Sequence, residues 1–180
     1  MKIVDGEGRA LPWDGQAFGD LKVKGPWIAS AYYGEAPGSA LDADGWFATG
    51  DVATIDLDGF MEITDRSKDV IKSGGEWISS IALENIAMSH PEVMQAAVIA
   101  IPHEKWQERP LLLVVRRQGS ALDQATLLEH MRPKLASWWL PDAIEFLNEL
   151  PMSGTGKVQK MVLRERFKDY APAEAVRAAS

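Results

Sequence analysis

The sequence contains no cysteine and only three histidines, and its charge balance is acidic. Without cysteine the chain cannot form a disulfide, a thiolate nucleophile or a cysteine metal site, and this usage fits a cytoplasmic protein. The histidines, His90, His103 and His130, are scattered and lack the spacing of a metal site. The formal net charge of −7 argues against a nucleic-acid partner, because phosphate backbones require clustered lysine and arginine. Any anionic ligand must therefore meet local basic groups.

Long apolar runs are also absent from the sequence. The longest, at residues 96–101, is far too short to cross a bilayer, and residues 1–8 do not combine a basic region with an apolar stretch. We therefore expect no membrane span and no export signal. The 180 residues, 46% of them hydrophobic, are enough for one core or for a domain with an appendage.

A charged segment at residues 65–77 (DRSKDVIKSGGEW) separates two parts of different character. Before it, the turn dipeptides Asp44-Gly45 and Asp58-Gly59 lie among short apolar segments, which predicts a meander of about four strands that ends at Asp65. The opening third, with turn-rich residues 1–15 and an alternating segment at 21–25 (LKVKG), is expected to be β-structure and loop. The apolar stretch at residues 27–34 (WIASAYYG) predicts a patch buried in the core of this part.

After this segment the pattern changes to alternating strands and helices. The predicted elements are a hairpin that turns at residues 73–76, a helix at 81–88 capped by Ser79 or Ser80, two central strands at 93–101 and 111–115, a helix at 125–135 capped by Asp123, a strand at 143–147 and a last helix at about 158–170. The tail at 171–180 is expected to fray. This order predicts an α+β fold, a small mixed sheet with flanking helices.

A loop at residues 151–157 (PMSGTGK) ends in Lys157. A nucleotide P-loop would require glycine in place of Pro151 and serine or threonine in place of Val158, so the loop is not one. Its glycines let the backbone approach a ligand and present one ammonium group. A plain surface turn explains the same residues.

Two further segments carry charged groups with equally ordinary explanations. Asp51 follows a glycine at the start of a predicted strand, where turn aspartates are common. Arg66 and Lys68 could belong to a solvated charge run. Each of these segments alone leaves function open.

Five segments together resemble the C-terminal part of the adenylate-forming enzymes, in particular the fatty acyl-CoA synthetases. They are residues 45–51 (GWFATGD), 65–69 (DRSKD), 71–79 (IKSGGEWIS), 101–110 (IPHEKWQERP) and 154–157 (GTGK). The resemblance covers roughly residues 21–170. It implies an ATP-dependent ligase that forms an acyl-adenylate and then an acyl-CoA thioester, with ATP and Mg²⁺ as cofactors and a fatty acid and CoA as the other small-molecule partners.

The resemblance implies roles for individual residues in adenylation. Asp51 matches the aspartate that holds the ribose hydroxyls of ATP, and Arg66 matches an arginine that also reaches the nucleotide. Lys157 matches the lysine that bridges the carboxylate substrate and the α-phosphate, where its charge stabilises negative charge at phosphorus. Lys68 falls on the hinge about which the smaller domain rotates between its two poses.

The same resemblance implies that the predicted hairpin binds CoA. Ser73, Gly74, Gly75 and Glu76 match the hairpin that lines the pantetheine tunnel, where glycines let a thiol arm pass close to backbone. Trp77 matches an aromatic that is thought to gate the acyl tunnel in some medium- and long-chain members. A core tryptophan is the alternative at that position.

The chain departs from the family pattern at residues 137–142 (SWWLPD). Many relatives carry lysine or arginine there, which can meet the CoA phosphates. With two tryptophans and Asp142 in their place, the CoA phosphates must find other partners, for which the candidates are Arg109, Arg116 and Lys160.

The phosphate-binding loop and the fatty-acid pocket of the family belong to a large N-terminal domain that this sequence does not contain. We therefore expect a fragment: residues 1–64 as the β-rich end of that domain, 65–69 as the hinge and 70–180 as the mobile lid. The missing domain would supply most of the ATP and Mg²⁺ contacts, and the full-length enzyme could be a homodimer. Alone, the 180-residue chain is expected to be inactive. The alternatives are a free-standing binding module that lost the chemistry and an adenylation domain for another carboxylic acid.

Overall fold

The computed structural model describes residues 1–170 and divides the chain into two compact units, Met1–Lys68 and a second that begins at Asp69. The predicted fraying of residues 171–180 lies outside the described residues. Both units consist of a small sheet, and the second adds helices, which confirms the predicted α+β class. None of the helices within residues 1–170 has the length and apolar character needed to cross a membrane.

The first unit is a four-stranded antiparallel meander. Its strands β1 (Lys2–Val4), β2 (Phe18–Val23), β3 (Phe47–Ile55) and β4 (Met61–Arg66) lie in sequence order. The meander and its last turn were predicted, and β1 lies within the turn-rich segment at residues 1–15. A small cluster formed by Ile3, Leu21, Ala53 and Ile55 buries one face of the sheet.

The predicted core patch at residues 27–34 is wrong. Trp27 is 95% exposed and Tyr33 fully exposed, and the segment forms neither helix nor strand between β2 and β3. The Tyr32 ring is tilted by 52° to that of Phe47, with ring centroids 6.4 Å apart. Apolar composition indicates burial only where an element presents the side chains to a core, and this loop does not.

The second unit begins with a tight hairpin of β5 (Ile71–Ser73) and β6 (Glu76–Ile78). It continues with α1 (Ser80–Met88), β7 (Val93–His103), β8 (Gln107–Arg116), α2 (Gln124–Met131), β9 (Ala143–Leu147) and α3 (Lys160–Arg166). The predicted caps are confirmed, because Ala82 N donates to the Ser79 hydroxyl and Thr126 N to the Asp123 carboxylate. The last helix is shorter than predicted, and α2 is followed by a short 3-10 turn rather than running to residue 135.

The sheet of the second unit has helices on both faces. Strand β8 is central, since it pairs antiparallel with β7 and β5 and parallel with β9. Side chains of β8 alternate between two clusters: Leu112 and Val114 pack with α1 and α2, and Leu111 and Leu113 pack with α3. This explains the unbroken apolar run, because both faces are covered. The prediction that β7 is central is wrong; within residues 1–170 it pairs only with β8, and helices bury it from the faces.

Candidate functional site

The first unit brings together the two residues predicted to contact the nucleotide. Asp51 on β3 pairs with Arg66 on β4 across the ladder, and Arg66 Nε lies 3.8 Å from Asp51 Oδ1. The Arg66 side chain is 60% exposed and that of Asp51 28% exposed. Two solvent-facing groups of opposite charge can meet hydroxyl and phosphate groups together, and their mutual attraction contributes little stability.

The turn that precedes β3 is fixed by another carboxylate. Asp42 accepts from Lys22 Nζ at 2.8 Å and from the Trp46 amide at 2.9 Å. The hydrogen bond with Lys22 and then that with Trp46 lower the pKa of Asp42 to about 2. Asp42 is therefore ionised at neutral pH and holds the start of the segment that leads to Asp51.

The predicted hinge residue Lys68 is exposed and lies in the turn between β4 and β5. The residues on either side of it are anchored in different units. The Ser67 hydroxyl bonds to Asp20 in the first unit, and the Asp69 carboxylate pairs with Arg164 Nη2 at 2.5 Å in the second. The boundary between the two units thus falls at Lys68.

The hairpin of the second unit turns at Gly74 and Gly75. Both glycines have positive φ, 61° and 89°, as a two-residue type I′ turn requires. A Cβ on Gly74 would lie only 2.7 Å from Cε3 of Trp106, whereas a Cβ on Gly75 would meet nothing within 4 Å. The Gly74 amide also donates to the Trp106 carbonyl at 2.9 Å. The indole of Trp106 thus packs directly against the glycine turn.

A cavity of about 310 Å³ opens beside this turn. Its lining residues are Ser73, Gly74, Glu76, Trp106, Arg109 and Trp138. Three of these belong to the hairpin predicted to line the pantetheine tunnel, and Gly75, the fourth member of that set, is not a lining residue. Trp106 and Trp138 were not predicted as site residues, although both occur in segments singled out in the sequence. Only the fold shows that these two tryptophans meet at one cavity.

Trp77 belongs neither to the buried clusters nor to the cavity lining. It is half-buried, and the ammonium of its cross-strand partner Lys72 lies 5.4 Å from its ring centroid. The alternative of a core tryptophan is therefore wrong. The gating role stays a prediction.

The three candidates for the CoA phosphates have internal partners. Arg109, 2% exposed, is wrong as a candidate, because its guanidinium donates to Asp142, Ser73 and two backbone carbonyls. Arg116 donates to the Leu122 carbonyl, and Lys160 pairs with Glu84 at 2.6 Å. Groups already satisfied within the chain are poor phosphate ligands, since each would first have to give up a partner.

Lys157 lies on a separate loop of the second unit. Ser153 organises this loop, because its amide donates to the Lys157 carbonyl at 2.8 Å and its hydroxyl accepts from the Lys157 amide at 3.1 Å. Gly156 has a φ of 75°, a conformation that glycine adopts without strain. The Lys157 side chain is exposed and is not part of the cavity lining. A short, internally bonded loop thus presents an ammonium group to solvent.

The described part of the chain does not itself offer a metal centre. Within residues 1–170 no group of three or more histidine, aspartate or glutamate side chains could hold a metal ion.

Comparison with known proteins gives a consistent result. Residues 82–157 match the family described as AMP-binding enzyme C-terminal domain. The chain is 54% identical to the 3-methylmercaptopropionyl-CoA ligase of Ruegeria pomeroyi over 94% of its own length and 31% of that protein. It is 53% identical to the medium-chain-fatty-acid–CoA ligase of Ectopseudomonas oleovorans, with the same coverage of each chain.

Solved structures agree with these relatives. ATP-bound MatB of Rhodopseudomonas palustris superposes with a TM-score of 0.80 at 34% identity, over 93% of this chain and 34% of MatB. The chain thus spans about a third of the length of the relatives that it matches. Residues 82–157 are thus similar to the C-terminal domain of AMP-binding enzymes, and over most of its length the chain is homologous to CoA ligases.

Proposed function

We propose that the chain is the C-terminal part of an ATP-dependent ligase that joins a medium- or long-chain fatty acid to CoA through an acyl-adenylate. One structural observation supports the proposal in addition to the similarity to CoA ligases. The Gly74-Gly75 turn packs on Trp106 beside an open cavity of about 310 Å³. A turn without side chains at the mouth of an aromatic cavity suits a narrow, flexible arm such as pantetheine.

In the adenylation half-reaction, Lys157 supplies positive charge where negative charge develops at the α-phosphate. Its exposed ammonium and its short loop support this role, because an exposed cation on a defined loop can reach into a partner domain. Asp51 accepts hydrogen bonds from the ribose hydroxyls, and Arg66, 3.8 Å away, approaches the same nucleotide.

In the thioester half-reaction, the second unit presents the glycine hairpin instead. Lys68 is the pivot between the two poses, and the anchoring of Ser67 and Asp69 to different units supports this role. The corresponding division is residues 1–64 for the end of the large domain, 65–69 for the hinge and 70–180 for the lid. Pantetheine passes Ser73, Gly74, Gly75 and Glu76, and Trp77 gates the acyl tunnel.

The acid is the least constrained part of the proposal, because the acyl pocket would lie outside this chain. A medium- or long-chain acid is favoured by kinship to a medium-chain-fatty-acid–CoA ligase. A second candidate is 3-methylmercaptopropionate, since an equally similar relative is named for its CoA ester. We place the enzyme in the cytoplasm, where ATP and CoA are available.

The test uses the full-length protein that contains this sequence. Purified enzyme is incubated with ATP, Mg²⁺ and an acid panel from 3-methylmercaptopropionate to palmitate, and pyrophosphate and acyl-CoA are measured. We expect both products with fatty acids of medium or long chain, and neither from the 180-residue chain alone. Pyrophosphate release by the short chain, or no product from the full-length enzyme with any acid, would overturn the proposal.

A further inference from the structure

Arg109 is a large charged residue buried in the second unit without a role in the proposed chemistry. Its side chain is 2% exposed, and that of its partner Asp142 is 6% exposed. Burial of such a pair is costly unless further hydrogen bonds satisfy both ions. What surrounds Arg109 therefore indicates what it does.

The guanidinium of Arg109 binds two segments that are distant in sequence, the end of β5 and residues 138–142. Nε donates to Asp142 Oδ1 at 2.9 Å just before β9. Nη1 donates to the Ser73 hydroxyl and to the Trp138 carbonyl, and Nη2 to the Leu140 carbonyl, each at 2.9 Å. The planar, forked guanidinium can satisfy acceptors in several directions at fixed angles, which a lysine ammonium cannot.

These acceptors coincide with the walls of the cavity. Ser73 ends β5 immediately before the glycine turn, and Trp138 faces the same space, so that Ser73, Trp138 and Arg109 itself are all lining residues. The Ser73 hydroxyl and the Trp138 carbonyl both accept hydrogen bonds from this one rigid guanidinium. The distance between the two walls of the cavity is therefore fixed.

A second contact extends the network to the turn that carries Trp106. His103 Nδ1 accepts from the amides of Lys105 and Trp106, and its Nε2 lies 4.0 Å from Asp142 Oδ2. Asp142 thus lies close to the turn that places the Trp106 indole against Gly74.

We propose that Arg109 is a positioning residue for the thioester step, which holds the glycine hairpin, Trp106 and Trp138 in the geometry that admits the CoA arm. It acts through Ser73 and Asp142 and does not touch the reacting atoms. This inference rests on the proposed function. The same inference assigns a role to Asp142, which is the buried counter-ion of Arg109.

The activity test uses Ser73→Ala, which removes a single hydrogen bond of the network, and Arg109→Lys, which keeps the charge but loses the fork. Both are made in the full-length enzyme. Because misplacement by about 1 Å can cost up to about 100-fold, we expect the KM for CoA to rise about tenfold for Ser73→Ala and more for Arg109→Lys. The rate of ATP–pyrophosphate exchange should stay unchanged. Leu128→Ala in α2, a buried core change that removes none of these hydrogen bonds, is the matched control and should leave the KM for CoA unchanged.

A structural test on the 180-residue chain separates this inference from the proposed function. The Gly74 amide, bonded to the Trp106 carbonyl, should exchange its hydrogen at least several-fold faster in Ser73→Ala and Arg109→Lys than in Leu128→Ala. Unchanged exchange, or equal losses in the two half-reactions, would overturn the positioning role alone. A wild-type enzyme that performs neither half-reaction would overturn the proposed function, and the role in the thioester step with it.

Discussion

The packing of Trp106 on the glycine turn makes a sharp prediction about two adjacent glycines. Alanine at either position must adopt positive φ, which costs roughly 1–2 kcal/mol. At Gly75 the added methyl group meets nothing within 4 Å, so this backbone cost is the whole effect. Gly75→Ala is therefore a built-in control, since it also changes the entropy of the unfolded chain in the same way.

At Gly74 the methyl group would lie 2.7 Å from Cε3 and 3.1 Å from Cζ3 of Trp106, closer than carbon atoms approach. The indole must therefore leave its rotamer well or the turn must shift, which adds about 0.5–1.5 kcal/mol. We expect Gly74→Ala to lower the free energy of unfolding by about 1.5–3.5 kcal/mol and Gly75→Ala by about 1–2 kcal/mol.

Urea unfolding of the chain, followed by circular dichroism, measures both losses. The slope of free energy against urea should stay constant, because the variants expose the same surface on unfolding. Repeating the pair in a Trp106→Leu background should abolish the difference, as expected for residues in direct contact. Equal losses in the wild-type background, or a difference that survives in Trp106→Leu, would refute the packing described for Gly74.

Three other predictions address different parts of the structure. Burial and then the hydrogen bond from its hydroxyl to Glu145 raise the pKa of Tyr170 to about 12. The contribution of this contact to stability should therefore be complete below about pH 10 and be lost as the pH rises through about 12. In an absorbance titration, Tyr170→Phe should remove the tyrosinate signal that appears at the highest pH, and an unchanged curve would contradict the contact. Ser79→Ala removes the cap of α1 and should cost about 1 kcal/mol in urea unfolding, and a loss below a few tenths would show that the helix does not depend on this cap. Replacing Trp27 or Tyr33 by serine should change the stability of this chain by no more than about 0.5 kcal/mol, because both are exposed; a loss above about 2 kcal/mol would restore the predicted core patch.

The features that the sequence predicted well are determined by neighbours in the chain. Ser79 and Asp123 cap helices through amides three residues further on, and the Gly74-Gly75 pair selects its own turn type. The apolar run of β8 indicates burial on both faces. Such signals need no knowledge of the rest of the fold.

The failures have the opposite character. Whether residues 27–34 are covered depends on which surface faces them, and the position of β7 in the sheet depends on pairing order; neither is determined by composition. The bond between Arg109 and Asp142 joins residues 33 positions apart. From the sequence, Arg109 was a candidate for the CoA phosphates, and Asp142 lay in a segment that departs from the family pattern. Only the fold shows that the two form a buried ion pair.

The candidate site was predicted in part for the same reason. The resemblance indicated Asp51 and Arg66 separately, and the ladder of β3 and β4 shows that they are cross-strand partners. Trp106 and Trp138 belonged to segments already singled out. That they line the same cavity follows only from the three-dimensional positions of the turn before β8 and the segment before β9.

The most direct test of the account is the division of labour between Lys157 and the glycine hairpin in the full-length enzyme. For Lys157→Ala, both ATP–pyrophosphate exchange with fatty acid and acyl-CoA formation from supplied acyl-adenylate and CoA are measured. We predict that exchange falls by at least about 100-fold, as for removal of a charge that stabilises a transition state, while thioester formation stays within about twofold of wild type. Equal loss of both half-reactions, or retention of exchange, would contradict the account.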